Sequence, residues 1–277
     1  MKLLKTLLKS KKFIIGLCVF LLLLFGSLIF TTISSHDPAE MIGFLYEPPS
    51  KEHLLGTDNF GRDVLIELIY GMKTSIYVGL LSGIIATFIG TTIGTTAGYL
   101  GKTIDNILNS ITNLFLVIPS FVILILLSVS LRSRSLTLLA MIIGITSWPW
   151  TARAVRAQTS SLKTREHVNM AKLNGEGYVE IVLKEILPYM LSYIFMVFVL
   201  QVASGILSEA GLSMLGLGPS NTISLGKMLS WALLYEAVRT GAWWAFIPPA
   251  LTIAIITFSL LYMNTGMDEV FNPRLRS

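Results

Sequence analysis

Apolar residues fall in long, nearly unbroken blocks at about 13–33, 74–100, 111–131, 135–152, 189–212 and 245–266, with short polar stretches between them. A helix needs about 20 such residues to cross a bilayer. The pattern therefore predicts an all-α polytopic membrane protein with about six transmembrane helices. Leu131-Arg132-Ser133-Arg134 is all that parts the third block from the fourth, so a tight hairpin is expected there. One long polar island interrupts the pattern. Residues 153–188 hold six Lys/Arg and four Glu, with Glu166 opening a short helical stretch of about 164–174 and Gly175 breaking it. The chain reads as two parts: 1–73, an N-terminal transmembrane helix plus an external amphipathic segment, and 74–277, a core domain that includes the 153–188 loop.

In the external stretch, Thr57 and Asp58 can cap a helix beginning near Asn59. Phe60, Val64, Leu65, Leu68 and Ile69 would share one face of it, lying at the membrane surface or against the bundle. The acidic run from Thr57 to Asp63 has the wrong spacing for a calcium-binding loop. In the second block, Gly90, Gly94 and Gly98 recur every four residues, as do Gly79 and Gly83. Small residues so spaced line one helix face and admit a neighbouring backbone, which makes the ladder a candidate packing surface. Pro119, Pro149 and Pro248-Pro249 each remove a backbone donor, so kinks or breaks are expected there.

Composition narrows the function. Hydrophobic residues make up 53% and charged residues 13%, against about 25% charged in soluble proteins. The lone Cys18 excludes a disulfide framework. The net charge of +5 does not point to nucleic acid, because the basic residues cluster at span ends. With the N-terminus inside, the cytoplasmic segments would hold 14 Lys/Arg and the external ones 7, which favours both termini in the cytoplasm. Lys2, Lys5, Lys9, Lys11 and Lys12 precede an apolar run of 21 residues, longer than a signal peptide's and without a clear cleavage site. It reads as a retained membrane helix. Trp243 and Trp244 read as interfacial anchors.

Catalytic chemistry finds no footing. Thr96 to Thr103 nearly matches a phosphate-binding loop, but Thr96 replaces the first glycine and no strand precedes it. His36, His53 and His167 are scattered, without metal-ligand spacing. Glu209 is an acidic residue well inside a predicted span, and such residues face a cavity or a partner. It could line a substrate pathway or bond to Ser208, Ser213 or a neighbouring backbone.

Several patches together resemble the C-type permease of dipeptide, oligopeptide and nickel ATP-binding-cassette importers. They are Gly56-Thr57-Asp58 with Gly61-Arg62-Asp63, Gly98-Tyr99-Leu100-Gly101, Ile118-Pro119-Ser120, Trp148-Pro149 with Ala152-Arg153, Ser208 to Ser213, and Asn272-Pro273-Arg274-Leu275. The resemblance implies a type I importer-like permease fold in a bacterial or archaeal cell membrane. It makes 153–188 a cytoplasmic coupling loop, with Glu166, Val168, Ala171, Lys172, Leu173, Gly175, Ile186 and Pro188 as coupling residues. The small Ala171 would let a partner surface approach, and Pro188 would mark where the loop ends and the fifth span begins. The implied partners are a homologous second permease, two ATPase subunits, an extracellular solute-binding protein and lipid. The chain would hold no cofactor, ATP–Mg being bound by the ATPases, and peptides would be the substrate, with nickel or a metal chelate as the alternative. A secondary transporter is less favoured, since the spans offer almost no buried coupling residues. The sequence departs from the family pattern at Asn169-Met170, which replaces the acidic–alanine pair of the loop, and at Leu225, which replaces a tryptophan.

Overall fold

The computed structural model describes residues 7–34, 36–130, 135–219 and 221–271; the expected hairpin at 131–134, the tail from Asn272, Lys2 and Lys5 lie outside them. The described chain is helical apart from loops and one isolated bridge between Thr57 and Asp63. Among the described residues, five helical stretches are long and apolar enough to span a membrane: α1 (Lys11–Ile33), α2 (Val64–Leu100), α5 (Leu136–Leu162), the path Tyr178–Met214, and α10 (Trp243–Phe271). A bent pair, α3 (Lys102–Val117) and α4 (Ser120–Ser130), reaches the same length and hydropathy only when its two helices are taken together, which gives five or six candidate spans. Between α5 and the fifth span lie α6 (Glu166–Leu173) and α7 (Tyr178–Ile181). A π-helical turn (Val182–Ile186) then leads into α8 (Leu187–Met214), and α9 (Leu225–Leu234) precedes α10.

Three features differ from the pattern read along the chain. No separate surface helix starts at Asn59, because Asp58 is used otherwise: its Oδ1 accepts from the Phe60 and Arg62 amides at 2.7 and 2.9 Å. Asp63 is the cap instead, accepting from Leu65 and Ile66 at 2.9 and 3.1 Å. From there α2 runs unbroken for 37 residues, so position 73/74 falls inside one helix. The third span is not a single helix over 111–131. It begins at Lys102 and turns by 81° at Ile118-Pro119, where proline drives Ile118 to extended backbone (φ −83°, ψ 126°). Pro149, Pro248 and Pro249, by contrast, lie inside continuous helices.

The glycines set the packing. A Cβ added at Gly94 would lie 2.6 Å from the Ala152 carbonyl oxygen, one at Gly90 2.5 Å from the Thr151 Cβ, and one at Gly98 2.8 Å from the Arg156 carbonyl oxygen. The ladder thus carries the α2–α5 crossing. Gly79 and Gly83 do the same for α8 through Val202. Helix α1 packs on α10, where Gly16 meets the Ser259 carbonyl and Lys12 pairs with Glu269. In lipid, such close approach supplies the attraction that water-driven burial cannot.

At the end where α2 begins, the Gly56–Asp63 patch forms a knot. The Arg62 side chain, 7% exposed, pairs with Asp58 and, at 3.0 Å, with Glu67. Its guanidinium lies over the Phe60 and Trp231 rings, 4.4 and 4.0 Å from their centroids. Trp244 donates from Nε1 to the Thr57 carbonyl at 3.0 Å, so this tryptophan fastens the knot to α10, while Trp243 is half exposed.

Candidate functional site

The opposite end carries the polar island. Its first ten residues simply continue α5 to Leu162, so the connection proper is shorter than 153–188. Helix α6 ends in a Schellman arrangement: the Gly175 amide bonds the Lys172 carbonyl and the Glu176 amide the Ala171 carbonyl, each at 3.1 Å. Gly175 has φ +81°, a conformation that a Cβ resists, so its place at the turn has a local cause.

The two faces of α6 differ from the expectation. Val168 (0% exposed) and Ala171 (4%) point inward, into a cluster with Val155, Ile181, Val182, Ile186 and Met190. Ala171 is therefore small on the side that meets this chain's own core, not a partner. Met170 (59%) and Leu173 (81%) form the outward apolar surface, with Glu166 and Lys172 also exposed. Val179 and Leu183 are exposed beyond the turn. Met170 stands out in the sequence only as a departure from the family pattern, and its i,i+3 spacing to Leu173 is matched by that of Val168 to Ala171, so spacing does not pick the outer face.

Polar contacts tie this module to the foot of α2. Lys172 Nζ donates to the Lys163 carbonyl at 3.2 Å and lies 5.7 Å from the Tyr99 ring centroid. Tyr178 Oη and Thr96 Oγ1 are 2.9 Å apart. The near-miss segment Thr96–Thr103 is this same helix–corner–helix, with Gly101 at φ +64°. Ile186 is fully buried and Pro188 exposed. Pro188 does not end the loop, because helical backbone already begins at Tyr178.

Within the bundle, the α3–α4 corner opens on a groove of about 430 Å³ lined by Pro119, Ser120, Ser147, Trp150, Gln201 and Ser204. A neighbouring hollow of about 420 Å³ shares Ser204 and adds Ser208 and Thr257. Gln201 Nε2 donates to the Ser147 carbonyl at 3.1 Å and to Thr151 Oγ1 at 2.7 Å. Non-helical backbone at membrane depth is tolerated where it lines a wet cavity, which fits the corner at Pro119. Pro119, Ser120 and Ser208 stand in patches marked in the sequence, but none was read there as lining a groove, and Ser147, Trp150, Gln201 and Ser204 were not singled out at all. The signal was there, since Gln201, Ser204 and Ser208 follow i, i+3, i+7 along one face of α8. At the α6 end, Arg156 pairs with Asp105 and Arg153 donates to Asn113 Oδ1 at 2.8 Å, joining α5 to α3.

Glu209 is fully buried away from this groove. It accepts from Ser75 Oγ at 2.8 Å and Ser213 Oγ at 2.6 Å, and Ser75 Oγ accepts from the Leu225 amide at 3.2 Å. Its role in the structure is to join α2, α8 and the start of α9. Of the candidates, the structure gathers Val168, Ala171 and Ile186 into one cluster, lays Gly90, Gly94 and Gly98 along one crossing, and sets Glu209 apart from both.

A family model described as binding-protein-dependent transport system inner membrane component matches residues 90–277. The chain is 30% identical over 276 residues to a putative peptide transport system permease protein of Brucella suis biovar 1 (strain 1330), spanning 98% of this chain and 91% of that one. It is 30% identical over 273 residues to a dipeptide transport system permease protein of Bacillus subtilis (strain 168), spanning 97% and 83%. It is also 30% identical over 269 residues to that organism's oligopeptide transport system permease protein, spanning 96% and 87%.

Proposed function

The chain belongs to the family of binding-protein-dependent transport system inner membrane components, and from that premise we propose that it is one permease of an ATP-driven peptide importer. The observation that carries the reading is the two-faced α6. Its inner face is fused to the bundle through Val168 and Ala171, and its outer face offers Met170 and Leu173 to a partner. A body of that shape can take up a push and pass it on. The positive-inside count supports placing α6 and both termini in the cytoplasm. There α6 would meet one of two ATPase subunits, which bind the ATP–Mg that this chain does not.

The groove at Pro119 is one wall of the pathway, completed by a homologous second permease. A solute-binding protein would deliver substrate to the end that carries the Arg62 knot. Hydroxyls and an amide on the wall, Ser120, Ser147, Ser204 and Gln201, suit the donors and acceptors of a peptide backbone. Relatives named for peptide, dipeptide and oligopeptide transport favour that substrate over nickel or a metal chelate. Closure of the ATPase pair then moves α6 and reorients the bundle between two packings.

Co-expression with the neighbouring subunits, followed by nanodisc reconstitution, tests the reading. ATP hydrolysis should rise on adding peptide-loaded binding protein, and Leu173→Asp should strip the ATPases from the complex without lowering the permease's own thermal midpoint. Retention of the ATPases at wild-type stoichiometry in Leu173→Asp would overturn the docking face. Stimulation by nickel chelate but not by peptide would overturn the substrate.

A further inference from the structure

The joint between α6 and the fifth span is built around a weak point in the helical ladder. The Leu187 amide reaches back five residues to the Val182 carbonyl, and Pro188 brings no amide at all. The Lys184 carbonyl, four residues before Pro188, therefore has no α-helical donor there. A helix so interrupted transmits rotation poorly unless something braces it.

The brace comes from α6. His167 Nε2 lies 3.1 Å from the Glu185 carbonyl oxygen, inside the π-helical turn. A carbonyl only accepts, so Nε2 must carry the proton and donate. The same imidazole stacks on Tyr189, the residue after Pro188, with centroids 4.3 Å apart and planes 26° from parallel. One side chain thus grips the backbone before the proline and the ring after it. Val168 and Ala171, its neighbours on α6, bury against Ile186 and Met190 on either side of the same joint. Apolar packing holds the helix on the bundle, but it leaves sliding along the helix axis open. A directed hydrogen bond plus a stacked ring fixes register.

We propose that His167 is a positioning residue for energy coupling: it splices α6 to α8 across the π-helical turn, so that displacement of α6 becomes rotation of α8. This rests on the importer reading above. Gln201, Ser204 and Ser208 ride on α8, so the splice connects the α6 end to the groove wall.

The test uses the full complex in nanodiscs with three variants. His167→Phe keeps a ring on Tyr189 but has no donor, His167→Gln keeps an amide donor without the ring, and His167→Ala has neither. Basal ATP hydrolysis, stimulation by loaded binding protein, and peptide imported per ATP are measured together with subunit stoichiometry. Losing one such bond corresponds to roughly a tenfold change in an equilibrium. Peptide imported per ATP should fall by about that factor in the Phe and Ala variants, with basal hydrolysis and stoichiometry unchanged, and Gln should recover more than half. Wild-type coupling in His167→Phe overturns the proposal. So does a loss in which Gln is no better than Phe, or one that only tracks loss of subunits, since His167 would then be a packing residue. Failure of the importer reading looks different: the wild-type complex itself would show no stimulation.

Discussion

Replacing Gly94 by alanine adds one methyl where α2 crosses α5, and the structure fixes what it meets. The new Cβ would stand 2.6 Å from the Ala152 carbonyl oxygen, 2.8 Å from the Val155 Cβ and 3.0 Å from the Arg156 amide nitrogen. Two of these are backbone atoms, so no rotamer change relieves the clash. Ordinary contact begins at 3.4 Å, and the helices must part by about 0.8 Å. A gap of about 0.5–1 Å forfeits a quarter to a half of each dispersion contact it opens, and the ladder makes the crossing one continuous contact. Overpacking of this kind costs about 1–3 kcal/mol, and rigid backbone places Gly94 at the upper end. Alanine returns about 1 kcal/mol through helix propensity, leaving a net loss of about 2 kcal/mol. At about 2–4 °C per kcal/mol for chains of about this size, the thermal midpoint should fall by about 4–8 °C. Gly26 is the control, since it too lies inside an apolar helix but nothing is within 4 Å of a Cβ added there. Gly26→Ala should leave the midpoint unchanged or raise it by about 2–4 °C. Both are read by fluorescence-detected gel filtration after graded heating. A Gly94→Ala midpoint at or above wild type, or an equal fall in Gly26→Ala, would refute the close-approach argument.

Other consequences can be checked on the same preparations. Arg62→Met leaves the nearly buried Asp58 and Glu67 carboxylates without their cation and should cost about 3–5 kcal/mol. Limited proteolysis should then cut within 36–63, and adding Asp58→Asn with Glu67→Gln should restore much of the protection; an uncut single variant would count against the knot. Glu209→Leu removes the acceptor to which the Ser75 and Ser213 hydroxyls donate and should cost about 1–3 kcal/mol. Glu209→Gln, which keeps an acceptor oxygen, should cost less, and equal midpoints for the two variants would remove the proposed joint. Gly175→Val forces a β-branched residue to φ +81° in open space. It should lower peptide-stimulated hydrolysis while membrane insertion, measured by fractionation, stays normal.

Much of this protein was legible along the chain because the cause is local. Apolar run length against bilayer thickness located five of the six spans, while the sixth is a bent pair whose start and break it did not give. The four-residue glycine spacing marked a packing face before its partner was known, and Gly175 announced a left-handed turn. What tertiary structure alone decided was every choice between locally equivalent options. Asp58 and Asp63 were both able to cap a helix. Arg62, held by Glu67, Phe60 and Trp231, drew Asp58 into a turn and left Asp63 to begin α2. Pro119 broke its helix while Pro149 and Pro248-Pro249 did not, although each carries the same local signal along the chain. In α6, Val168, Met170, Ala171 and Leu173 put apolar groups almost all round an eight-residue helix, so periodicity could not say which face turns inward. The cluster built by Val155, Ile181, Ile186 and Met190 answered it. The groove draws on α3, α4, α5 and α8, residues more than eighty positions apart. Hydropathy and turn chemistry act within a few residues, whereas the selection of a face, a cap or a pathway is a sum over neighbours that meet only once the helices have packed.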